Sequence, residues 1–129
     1  MAEATEKDRS NFDIEDRLIS FAVQVIRTAE SLPKSVAANH ITGQLVRCGT
    51  SPAANYGEAQ AAESRSDFLH KMKVCLKELR ETRVWLLMTA SADMLTTDRL
   101  TPLLNENDQL IAIFVKSIKT AKSTGLKPA

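Results

Sequence analysis

Glycine, proline, cysteine and aromatic residues are all scarce in this chain. Four Gly and four Pro in 129 residues are too few turn-formers for the many short strands of a sandwich or barrel. The two cysteines, Cys48 and Cys75, lie within apolar helical patterns and do not make a secreted disulfide framework. No run of about 18 apolar residues occurs, so the sequence holds no membrane-spanning helix. The opening MAEATEKDRS lacks the apolar stretch of a signal peptide. A reducing cytoplasm is therefore the expected compartment, with no membrane partner.

What is present reads as one helical domain. The hydrophobic fraction is 43% and the charged fraction 26%, enough to bury a core without metal or disulfide. A net charge of +1 hides an asymmetry: residues 1–31 carry four basic and seven acidic side chains, whereas residues 65–83 carry six basic and three acidic. Residues 101–129 carry four lysines against two acids. Such a chain can present a positive surface, or match its own acidic face between subunits.

Apolar residues recur every three or four positions in four segments. The first runs from about Asp13 to Ser31 and is stopped by Pro33. The second starts near Ser35, and Pro52 predicts a kink or break at Thr50–Pro52, since proline removes a backbone donor and crowds the preceding turn. Glu58–Glu63 is ambiguous between helix and loop. Ser64 is a good N-cap for the third helix, with Asp67 three residues on. Phe68, Met72, Cys75, Leu79, Thr82 and Leu86 then form a heptad-like seam. Thr96–Asp98 suits a cap for the fourth helix, with Pro102 in its first turn. The expected fold is all-α, an antiparallel up-down-up-down four-helix bundle over residues 12–122 with a kink near Pro52. Residues 1–11 and 123–129 are expected to be flexible tails. The run Val84–Met88 is apolar on more than one helix face, which predicts burial against a second subunit.

Reactive chemistry is sparse. There is no Gly-rich phosphate loop, CxxC pair or HExxH. A di-iron bundle needs two Glu-x-x-His units, and only Asp67–His70 comes near. Glu78 and Glu81 stand among Lys77, Arg80 and Arg83 and read as solvated ion pairs. No catalytic, cofactor or metal site is expected. Two cationic stripes are candidate contacts for nucleic acid or another partner: Lys71, Lys73, Lys77 and Arg80 on the third helix, and Lys116, Lys119 and Lys122 on the fourth.

The segments Ser51–Ala59, Ala62–Lys71 and Cys75–Leu86, with Leu110–Phe114 and Ile118–Lys122, resemble the bacterial four-helix-bundle proteins encoded by intervening sequences in large-subunit (23S) ribosomal RNA genes. The similarity spans roughly residues 12–122. Asn55, Tyr56, Glu58, Glu63, Ser64, Asp67, Glu78, Glu81 and Trp85 fall on its characteristic positions, and Gly57, Leu79 and Val84 depart from it. The resemblance implies a ring-like homopentamer without catalytic residues. It also implies kinship with the accessory variability proteins of diversity-generating retroelements, which bind nucleic acid and partner a reverse transcriptase. The expected role is a non-enzymatic oligomeric interaction protein that binds RNA, another nucleic acid or an RNA-handling partner. The alternative is a purely structural bundle without nucleic-acid contact. The signature cluster around Asn55 and Tyr56 is expected to fix the bend after Pro52 against the start of the third helix.

Overall fold

A computed structural model describes the backbone of residues 6–124 and the side chains of residues 14–123. Four helices follow in order: α1 Glu6–Glu30, α2 Val36–Gln60, α3 Arg65–Ser91 and α4 Thr97–Thr124. Each packs on its neighbours in sequence, and α1 also meets α4, which closes an antiparallel bundle. Among the described residues no helix is long and apolar enough to cross a membrane.

Local chemistry sets the helix ends. Ser35 Oγ accepts from the Ala38 amide at 3.1 Å and Ser64 Oγ from the Asp67 amide at 3.0 Å, each satisfying an orphan donor of the first turn. Thr96 Oγ1 does the same for Arg99 at 3.2 Å. Asp93 opens the α3–α4 junction with φ 56°, and the Met94 amide reaches back to the Thr89 carbonyl at 3.1 Å, a Schellman closure with Asp where glycine is usual. At the far end of that pair, Arg65 Nη2 donates to the Ala121 and Lys122 carbonyls, groups that α4 itself leaves unpaired.

Two expectations need correction. Helix α1 begins at Glu6, ahead of the expected Asp13; residues 1–5 and 125–129 lie outside the described residues. Pro102 stands in the second turn of α4, since Thr97 is its first residue. Of the kink or break expected at Pro52 no break occurs: α2 continues through Gln60, and the turn falls at residues 61–64. A helix-interior proline costs about 3 kcal/mol. Beyond it Tyr56 and Ala59 are buried, and burying one large apolar side chain returns roughly 1.5–3 kcal/mol. Ending the helix at Thr50 would forfeit that burial. Side chains also engage the carbonyls around the proline: Thr50 Oγ1 that of Val46, Asn55 Nδ2 that of Ser51, and Cys75 Sγ that of Pro52.

The seam expected of α3 is buried from Phe68 to Leu86 and extends to Thr89. It meets Leu18, Phe21 and Val25 of α1, Leu45 and Tyr56 of α2, and Leu110 and Phe114 of α4 in one core. Tyr56 stands edge-on to Phe114 with centroids 5.9 Å apart. At Gly49 the α1 and α2 backbones approach closely: a Cβ there would lie 2.5 Å from Val25 Cγ1. One core residue is anomalous. Asn107 is fully buried, and neither amide atom has a hydrogen-bond partner.

Candidate interaction surfaces

The signature residues do not form one site. Asn55 bridges to Ser51 Oγ at 2.8 Å and to the Ser51 carbonyl at 3.0 Å, both within α2. Tyr56 is core, its phenol pushed up to about 12 by burial and then by the nearby Glu15 charge. Glu58 meets Lys71 at 3.0 Å across the α2–α3 turn. Glu63, Ser64 and Asp67 line a shallow depression beside that pair. No group among the described residues is arranged to hold a metal ion.

Glu78, Glu81 and Trp85 belong to a second cluster, two to four turns further along α3. Its centre is Arg47 of α2, which bonds Glu78 at 3.0 Å and also pairs with Glu81. Trp85 Nε1 donates to the same Glu81 oxygen at 3.1 Å. Gln44 Oε1 accepts from Arg47, and His40 stands edge-on to Trp85 with centroids 5.6 Å apart. The carboxylates therefore face α2, and not the neighbouring Lys77 and Arg80. Glu78 is only 13% exposed, so this clamp holds a charge that is largely removed from water. Arg47, Glu78, Glu81 and the Trp85 indole are all paired within this seam, which makes the cluster a fastener between helices. A second fastener joins α1 to α4: Arg17 grips both Glu106 oxygens, at 2.6 and 3.1 Å.

Lys71 is not a free cation, because Glu58 holds it; that hydrogen bond and the Glu58 charge raise its ammonium above the ordinary lysine range. Lys73, Lys77, Arg80, Lys116, Lys119 and Lys122 are exposed and form no salt bridge among the described residues. At about 100° per residue, Lys73, Lys77 and Arg80 share the outward stripe of α3. Val84 and Met88 continue that stripe toward the C-terminus, 48% and 45% exposed, and Leu87 lies beside them. Leu86 alone in this run is fully buried. A second apolar group, Ile19, Val23 and Val46, is exposed along α1 and α2; sequence periodicity had placed no weight on it.

No curated protein matches the chain. Its structure is similar to the crystal structure of a protein of unknown function from the S23 ribosomal protein family of Bacteroides thetaiotaomicron. The TM-score is 0.77 at 29% sequence identity, over 82% of this chain and 98% of that one. Neither that neighbour nor the matching family model carries an assigned activity. The model for the 23S rRNA-intervening sequence protein matches residues 10–116, and the chain belongs to that family.

Proposed function

We propose that this protein is a non-enzymatic interaction module that assembles with copies of itself. The observation that carries this is the exposed apolar cluster Val84, Leu87 and Met88 on the outward face of α3. A monomer gains nothing from three adjacent large apolar side chains in water, whereas a subunit contact removes them. The family resemblance makes a homopentamer the expected assembly. The test is mass in solution by light scattering. Wild-type protein is expected at several times the 14.2 kDa chain mass, and Val84→Glu at or near the chain mass. A wild type that stays monomeric at high concentration rejects the proposal.

Binding of RNA or another nucleic acid is a second reading, supported by the six exposed cations without salt bridges. Symmetric assembly repeats them in every protomer. Affinity for a single-stranded RNA should then fall linearly in log–log form with salt. Absence of a gel-shift complex at about 50 mM salt, where phosphate contacts are strongest, leaves the purely structural reading.

A further inference from the structure

Apart from Val36 at the start of α2 and Val115 on α4, the exposed large apolar residues occupy two different faces, and the charges beside them have opposite sign. On α3, Lys73, Lys77 and Arg80 precede Val84 and Met88 along the outward stripe. On α1, Glu15 and Asp16 precede Ile19 and Val23, which are 49% and 39% exposed. None of these charged groups forms a salt bridge among the described residues. Both stripes thus run from charged to apolar in the N-to-C direction, acidic on α1 and basic on α3.

The bundle sets where these faces lie. Contacts join α1 to α2, α2 to α3, α3 to α4 and α4 to α1, so α1 and α3 sit on a diagonal and their outer faces point away from each other. In the up-down order the two helices run in the same direction. Copies related by rotation about an axis along the bundle therefore bring α1 of one and α3 of the next together in parallel. Setting Ile19 beside Val84 then sets Val23 beside Met88 and Glu15 beside Arg80, because both spacings are equal.

A feature of α2 agrees. A Cβ added at Gly43 or Gly57 would meet nothing within 4 Å, unlike one at Gly49. Both are exposed and lie on the α2 surface next to α1 and Val46. Glycine inside a helix weakens it, and nothing within the protomer requires it at these two positions. A neighbouring copy seated on the α1–α2 surface supplies the reason: glycine permits its close approach.

We infer that a second copy of this chain docks head-to-tail, with the basic apolar face of α3 on one protomer seated on the acidic apolar face of α1 and α2 on the next. This rests on the self-assembly proposed above and specifies its geometry. Such a heterologous contact uses two distinct patches and closes into a ring only when the rotation allows it.

Mixing experiments test it. Two variants each damage one face: Ile19→Glu/Val23→Glu and Val84→Glu/Met88→Glu. All four positions are exposed, and circular dichroism checks that each variant is folded. Each alone should be monomeric by light scattering or native mass spectrometry. Mixed in equal amounts at high concentration, they should give a dimer and nothing larger, since one intact α3 face meets one intact α1 face. A charge pair covers the case of a variant that fails to fold. Lys77→Glu/Arg80→Glu should weaken assembly at least about tenfold, and mixing it with Glu15→Lys/Asp16→Lys should restore a complex, as opposite-charge placement sets partner choice. A wild-type monomer overturns both this inference and the proposed self-assembly. A wild-type oligomer whose mass survives the α1-face substitutions, or a pair of variants that do not combine, overturns this inference alone.

Discussion

Replacing Gly49 by alanine should destabilise the bundle, while the same replacement at Gly43, six residues away in the same helix, should stabilise it. At Gly49 the three atoms nearest an added Cβ are Cγ1, Cγ2 and Cβ of Val25, at 2.5, 2.9 and 3.0 Å. A β-branched side chain has one favoured χ1 in a helix, so Val25 cannot rotate away. The α1 and α2 backbones must instead separate by roughly an ångström, which places the cost in the upper part of the overpacking range of about 1–3 kcal/mol. Alanine recovers up to about 1 kcal/mol of helix propensity, leaving a net loss of about 1–2 kcal/mol. At Gly43 no atom lies within 4 Å, and only the propensity gain remains. For 129 residues the unfolding entropy is about 0.27 kcal/mol/K, so 1 kcal/mol moves Tm by about 4 °C. Gly49→Ala should thus lower Tm by about 4–8 °C and Gly43→Ala raise it by about 4 °C. Both are measured by circular dichroism in a Val84→Glu background, which keeps assembly out of the melt. Val25→Ala removes both clashing methyls, and its cycle with Gly49→Ala should show a compensating coupling of at least about 1 kcal/mol. If Gly49→Ala melts higher than its parent, or if the two substitutions simply add, the close approach is not as described.

Arg47→Met should cost about 1–2 kcal/mol in urea melts, because it leaves the mostly buried Glu78 carboxylate without its partner; an unchanged midpoint would show the clamp to be incidental. Asn107→Leu removes the two unpaired atoms of one buried amide, worth about 1–3 kcal/mol each, and adds overpacking of about 1–3 kcal/mol. The net expectation is a gain of about 2 kcal/mol, and a lower melting temperature would show that the amide is bonded. The Cys75 thiol is pushed up to about 12 from 9.0, chiefly by burial. In the unfolded chain it ionises near 9.0 while the folded thiol stays protonated. Stability should therefore hold below pH 9 and then fall by up to about 1.4 kcal/mol per pH unit toward pH 12. Cys75→Ala should reduce that alkaline slope in melts at pH 8 to 11, with the Cys48 thiol, also pushed up chiefly by burial, and the Tyr56 phenol left to contribute.

Most of the fold was legible because its signals are local. The α3 seam repeats every three or four residues, Ser64 precedes it as a cap, and both appear in place. At Pro52 the sequence leaves a kink or a break open, because the burial of Tyr56 and Ala59 that keeps α2 continuous is not a local signal. The Arg47 clamp was invisible for a similar reason: its carboxylates lie 31 and 34 residues away, and no spacing in α2 marks it. Lys71 looked like a member of a cationic stripe until Glu58, 13 residues earlier, was seen to hold it. Three helix-interior glycines look identical in sequence, and only the surroundings separate Gly49, pressed on Val25, from Gly43 and Gly57, which face open space.

The single tryptophan gives this protein a built-in optical reporter. Trp85 sits where α2 and α3 are fastened, its indole N–H held by Glu81 and its ring edge-on to His40. Its emission should shift to longer wavelength when that seam parts, before the whole bundle has melted. Because it lies one residue from Val84, its anisotropy decay should also slow when copies associate. One chromophore, without labelling, then follows both the integrity of the protomer and its encounter with the next.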